Sequence, residues 1–309
     1  MSMSRVDTLP SGMGERTFAL VHSETDDVLM FGRGTDYPCS EYVFPAVEAA
    51  GARFSVHGNH AAAFGQMDIA SDYFEASFGA TEPHAADKMS RIMSAWAMAN
   101  FQRPLSGLHH LYYVLGGRAR LMYGVPNRIA PKYNGFKTSF HEGILRFATS
   151  SPFFYDSARS TATPDGNPIA LPSSNGEVSS TFSVQSKTEV PTPISFFIEA
   201  SSDTGKADVD IDIRSGDTWR RAVALRAFGG KMSIENQPGR AVTRHEPKNV
   251  SDENPRSSGA DFIDPSTPPF RLVTLRPGDS EIRVTANGTN STGTLLTVQA
   301  SWRDCYAGA

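Results

Sequence analysis

From Asp208 to Ile213 the chain alternates carboxylate and aliphatic residues without a break, with Asp208, Asp210 and Asp212 interleaved with Val209, Ile211 and Ile213. Successive side chains leave a strand on opposite faces, so a period of two is a strand's period. The aliphatic row then needs a second layer to cover it. The same punctuation runs through the second half, at Thr181–Ser186, Ile194–Glu199, Arg221–Arg226, Phe270–Thr274, Glu281–Thr285 and Thr294–Trp302. Turn residues separate these runs and no helical period intervenes, so residues 157–309 are expected to form an antiparallel β-sandwich of the jelly-roll kind. The polar stretch Glu246–Thr267 reads as a long surface loop within it.

One segment alone has a helix's period. Met89, Ile92, Met93, Trp96 and Ala99 recur at spacings of three and four, with Asp87, Lys88, Ser90, Arg91 and Ser94 on the other side. A helix over about 83–102 follows, with Thr81 as its cap, Pro83 in its first turn and Arg103-Pro104 followed by Gly107 as its stop. The Met/Trp stripe reads as its core-facing side. Around it lie strand runs at Phe18–Val21, Val28–Phe31, Tyr73–Phe78, His110–Leu115, Ala119–Tyr123 and Gly135–Thr149. Gly116-Gly117 between two apolar runs signals a tight hairpin, because glycine takes positive φ at little cost. The first domain is therefore a mainly β unit with one helix, over residues 1–156. A linker rich in Ser, Thr, Pro, Asn and Gly, Ser157–Asn175, leads into the second.

A chain of 309 residues fits two such domains at roughly 150 residues each. Its 29 Lys+Arg against 33 Asp+Glu leave both halves nearly neutral, which argues against tight binding of a phosphate backbone. No apolar run is long enough to span a membrane, and the opening Met1-Ser-Met-Ser-Arg-Val-Asp-Thr lacks the apolar stretch of a secretory signal. Asn249, Asn287 and Asn290 match the glycosylation pattern, which needs the secretory route, and are set aside on that ground. Cys39 and Cys305 are too far apart in sequence to form a metal motif and read as inert thiols.

Four sets of residues are candidates for chemistry. A glycosidase needs two carboxylates flanking a sugar bond, and Asp208, Asp210 and Asp212 are the natural choice. Carboxylates in one row on a strand are expected instead to form a solvated face, with calcium coordination as the alternative. His57 and His60, and the pair His109 and His110, offer imidazoles. Neighbours on a strand point to opposite faces, so His109 and His110 cannot share one ion. Gly32-Arg-Gly34 lacks the third glycine and the helix start of a dinucleotide loop, and no Gly-x-Ser-x-Gly elbow occurs. Trp219 and Tyr306 could stack on a sugar ring, against a reading as packing residues. No catalytic, cofactor or metal residue is assigned.

The order of segments does resemble a known family. Ala63–Phe78, then the helix with Trp96, then the hairpin Leu111–Pro126, then Phe136–Phe147 closing on Ser151-Pro-Phe-Phe-Tyr155-Asp, is similar to the ring-forming domain of distal tail proteins. These are minor tail proteins of long, non-contractile-tailed phages, and the flavour is that of phages of actinobacteria. Pro277-Gly278-Asp279-Ser-Glu-Ile-Arg283 and Trp302-Arg303-Asp304 resemble the turn and last strand that close the family's galectin-like domain. Where relatives often carry Tyr-Gly-Arg-Pro, this chain has Val125.

The resemblance implies a non-enzymatic virion protein at the tail tip, made in the host cytoplasm and without a cofactor. Six copies would form a ring from the belt domain, with the galectin-like domains outward. The ring would join the tail tube protein and the tape-measure protein to the tail-tip hub protein, and DNA would pass through its lumen without specific binding. A host-surface carbohydrate is a further candidate ligand, since the alternative reading is a lectin-like protein.

Overall fold

The computed structural model describes residues 8–22, 25, 27–45, 73–101, 108–132, 140–171, 176–201, 206–237, 240–246, 263–264, 274–289 and 294–307. The chain divides into two compact units, Met1–Ala158 with Tyr306–Ala309, and Arg159–Cys305.

The first unit contains β1 (Thr17–Val21), β2 (Val28–Gly32), β3 (Cys39–Val43), β4 (Tyr73–Thr81), α1 (Ala85–Phe101), β5 (His109–Leu115), β6 (Arg118–Lys132), β7 (Phe140–Thr149) and β8 (Phe154–Asp156). Its antiparallel sheet runs β2-β1-β5-β6-β7-β4-β3, with β8 beside β6. Gly116 and Gly117 close the β5–β6 hairpin at φ 59° and 72°, the positive values that let so short a turn follow the strands' twist. Helix α1 lies on β4, β6 and β7. It buries Met89, Ile92, Trp96 and Ala99, the residues its period sets on one side. Trp96 meets Phe31 and Phe147 edge-on at 6.1 and 6.5 Å, and Phe18 gathers Phe31, Phe74 and Tyr42 at 5.1 to 5.4 Å.

The start of the helix differs from the sequence expectation. Thr81 belongs to β4 and Pro83 precedes the helix instead of entering its first turn. His84, at φ 67°, receives the first helical bond, from the Lys88 N–H, while its own N–H donates to the Glu82 carboxylate. The expected stop at Arg103-Pro104 and Gly107 lies outside the described residues.

The second unit contains β9 (Ser160–Ala162), β10 (Ile169–Ala170), β11 (Glu177–Ser186), β12 (Thr192–Ala200), β13 (Lys206–Ser215), β14 (Thr218–Phe228), β15 (Gly230–Gln237), β16 (Arg240–Glu246), β17 (Thr274–Leu275), β18 (Gly278–Thr289) and β19 (Leu295–Trp302). One antiparallel sheet runs β10-β19-β12-β15-β16, with β9 on β19 and β17 on β12; the other runs β11-β18-β13-β14. Their inner rows form one core. Phe182, Val209, Ile211, Leu225, Ile282 and Val284 from the second sheet join Phe196, Ile198, Met232, Ile234, Leu296 and Val298 from the first. Val209, Ile211 and Ile213 do face inward together, as their alternation predicts.

Beyond the runs expected from the sequence, the structure adds β3 in the first unit and β15 and β16 in the second, where Met232 and Ile234 alternate with polar neighbours, and it places β9 and β10 within Ser157–Asn175, expected as a linker. Of Glu246–Thr267, expected as one long surface loop, only Glu246, Ile263 and Asp264 lie among the described residues. Glu246 ends β16, Ile263 bridges to Leu225, and the Asp264 N–H donates to the Ala224 carbonyl, so this short piece covers the outer edge of β14. Of the Phe270–Thr274 run, only Thr274 is described, in β17. A last short strand, β20 (Cys305–Tyr306), follows β19.

Candidate functional site

The acidic row is not a solvated face. Asp212 is 5% exposed and sits between two arginines, one oxygen 2.6 Å from Arg221 Nε and the other 2.9 Å from Arg283 Nη2. Asp210 accepts from Arg221 at 2.6 Å and from Arg226 at 2.7 Å, and Arg226 reaches Asp264 at 3.3 Å. Asp208 accepts the Ala227 N–H at 2.8 Å, holding a bulge residue whose φ is +49°. The register explains the change: Asp212 lies opposite Arg221 on one side and Arg283 on the other. Cross-strand neighbours share a face, so the sheet neutralises its own carboxylates. Burial works against the charge on Arg221, yet Asp212 and Asp210 outweigh it and hold its pKa above the ordinary arginine value. Carboxylates bonded to guanidinium groups are poor ligands for a cation or partners for a glycosidic bond. Among the described residues, no cluster of three or more His, Cys, Asp or Glu is placed to hold a metal.

The histidines likewise serve the fold. His109 Nε2 stands 3.0 Å from the Ala99 carbonyl and donates to it, satisfying one of the last-turn carbonyls of α1, while its ring lies 4.5 Å from His22. His110 points to the other face, its ring edge-on to Tyr123 at 4.9 Å. His57 and His60 lie outside the described residues, as do Asn249 and Asn290; Asn287 is exposed on β18. Trp219 carries the Arg283 guanidinium over its ring at 4.4 Å. In the first unit, Tyr306 lies beneath Arg120 at 3.6 Å and its hydroxyl donates to Asp156 at 3.1 Å. Both aromatics proposed for sugar stacking are thus engaged by arginine. Burial pushes the Cys39 thiol up to about 12, and Cys305 is buried. Gly32, at φ 106°, packs so closely on Arg16 that a Cβ would come 2.3 Å from its carbonyl oxygen, which makes Gly32-Arg-Gly34 a tight turn out of β2.

The two segments that carry the second-half resemblance meet at Ser186. Gly278 pairs with Ser186 in the β11–β18 ladder, while the Ser186 hydroxyl and the Lys187 N–H both donate to Asp304 Oδ1 at 3.0 Å. Nothing in the spacing of residues 186, 278 and 304 announces this junction. Val125 sits in β6 opposite Ala148, half-buried.

What remains as an interaction surface is the set of sheet margins. In the first unit β2 pairs with β1 and β3 with β4, which leaves one edge of each outside the described ladders. Val28 is 42% exposed on β2 and Val43 59% on β3. An open strand edge presents a row of N–H and C=O groups to whatever strand can pair with it.

Solved structures place this architecture. A chain of the phage P2 baseplate in its activated conformation with calcium superposes at a TM-score of 0.62, 8% identity, over 95% of this chain and 99% of its own. The P2 baseplate in its activated conformation with strontium gives 0.58, also at 8% identity, over 93% and 98%. SPP1 Dit, described as a paradigm of the hub adsorption apparatus in phages infecting Gram-positive bacteria, gives 0.46 at 11% identity over 93% and 98%, too low to establish a shared fold. No family model and no curated protein sequence matches the chain. The mainly β fold of this chain is thus similar to that of the P2 baseplate chain.

Proposed function

We propose that this protein is a structural component of a phage tail: a distal tail protein, of the minor tail proteins of siphophages, working as a hexameric adaptor at the tail tip. The observation that supports the reading best is the two-unit fold itself, shared over nearly its full length with a P2 baseplate chain. In this reading residues 1–156 build the ring, β2 and β3 closing their open edges against identical copies, and residues 157–309 form a galectin-like domain facing outward. The ring joins tail tube and tape-measure protein to the hub, and DNA passes through a nearly neutral lumen. No chemistry is asked of the chain, in keeping with carboxylates that are spent on arginines. Glycan recognition, the alternative, gains no specific support, because Trp219 and Tyr306 already carry guanidinium groups.

Light scattering with negative-stain imaging of the purified protein tests the proposal. The expected result is a closed ring of six subunits with an open centre. A particle that stays monomeric at high concentration overturns it.

A further inference from the structure

The second unit defends its sheet margins unevenly. The outer side of β19 is covered by β9 and β10. Strand β14 is bulged at two register shifts against β13, and its outer side is capped by Ile263–Asp264. Strand β16 has Arg240, Arg244 and Glu246 in its sequence. These are the ordinary devices against unwanted strand pairing: cover, bulge and charge. Strand β11 has neither a bulge nor a cationic residue, and its one carboxylate, Glu177, stands at its first position. It runs ten residues, Glu177–Ser186, in unbroken register with β18, without lysine, arginine or proline. Among the described residues no ladder occupies its other edge.

The sequence of β11 is also its own complement. Antiparallel pairing of two copies about Thr181 sets Ser179 beside Ser183, Val178 beside Val184, Ser180 beside Phe182 and Thr181 beside itself. Glu177, the strand's single charged residue, falls beside Gln185, so no like charges oppose each other. Hydroxyl residues line the outer face of the pair, and the apolar row continues the core across the junction. We infer that β11 is a docking edge for β11 of a second copy, a two-fold contact that joins two four-stranded sheets into one of eight strands. This contact is separate from the ring edges of the first unit. In a ring of six it would pair one ring with another.

Thr181 is exposed, so its substitution leaves the core intact. Under mild oxidation Thr181→Cys should crosslink to twice the subunit mass on a denaturing gel. Gln185→Cys, eight residues of extended chain from its counterpart, should not. Thr181→Lys, which sets two ammonium groups face to face, should halve the mass of the native particle while leaving the far-ultraviolet circular dichroism unchanged. No crosslink at residue 181, equal crosslinking at 181 and 185, or an unchanged mass for the lysine variant each overturns the inference. The ring stands or falls separately: halving to a hexamer keeps both proposals, whereas halving to a monomer keeps only this one.

Discussion

A single carboxylate fixes the tip of the β5–β6 hairpin. Glu15 accepts the N–H of Gly116 at 2.9 Å and of Gly117 at 3.1 Å, and these two bonds hold its pKa below the ordinary 4.5. The folded pKa is the lower one, so this contribution to stability is present in full above the unfolded value and fades as pH falls through the folded value. Glu15→Gln should therefore lower the melting temperature at neutral pH. The gap between variant and parent should close below pH 4.5, which a series of thermal melts checks; a gap that stays constant into acid contradicts the assignment. Nothing in the sequence connects residue 15 to residue 116. The glycine pair announces the turn, and its partner arrives from a distant part of the chain.

At the scale of elements, the four-stranded sheet is held on its outer face by charges and on its inner face by aliphatic packing. Asp212→Ala would leave Arg221 and Arg283 without their shared acceptor. The expected cost is about 2 kcal/mol in urea unfolding, less than for a fully buried pair because both guanidinium groups keep some water. Asp208→Ala, which removes one bond to the Ala227 N–H, should cost about 1 kcal/mol. Equal costs for the two would contradict the ladder. The alternation of residues 208–213 makes the inner row legible, since period alone decides which side chains share a face. The fate of the outer row was not legible, because it depends on Arg221 and Arg283 arriving in register from two other strands. The helix likewise announces itself by Met89, Ile92 and Trp96. Its starting point does not, since His84, just before the helix and at positive φ, follows no capping preference.

For the whole molecule, the informative residue is Tyr306. It follows the second unit in sequence yet belongs to the first, where Arg120 and Asp156 hold it. A division at residue 156 follows from composition and a polar linker; the return of the chain's last residues has no compositional mark. Tyr306→Ala should destabilise the first unit by about 2 kcal/mol, by taking the ring from a buried arginine. Hydrogen exchange should quicken at residues 118–121 and 154–156 and stay unchanged at 209–213; equal quickening in both places would contradict this.

The same return sets an order on biosynthesis. A ribosome delivers residues 1–158 first, but the tyrosine that completes them emerges only after all of 159–305 has been made. Nascent chains therefore carry an unfinished first unit until residue 306 has been made. Termination before that point would yield a first unit lacking its own closing piece, so a truncated product is marked as incomplete by the path of the backbone itself.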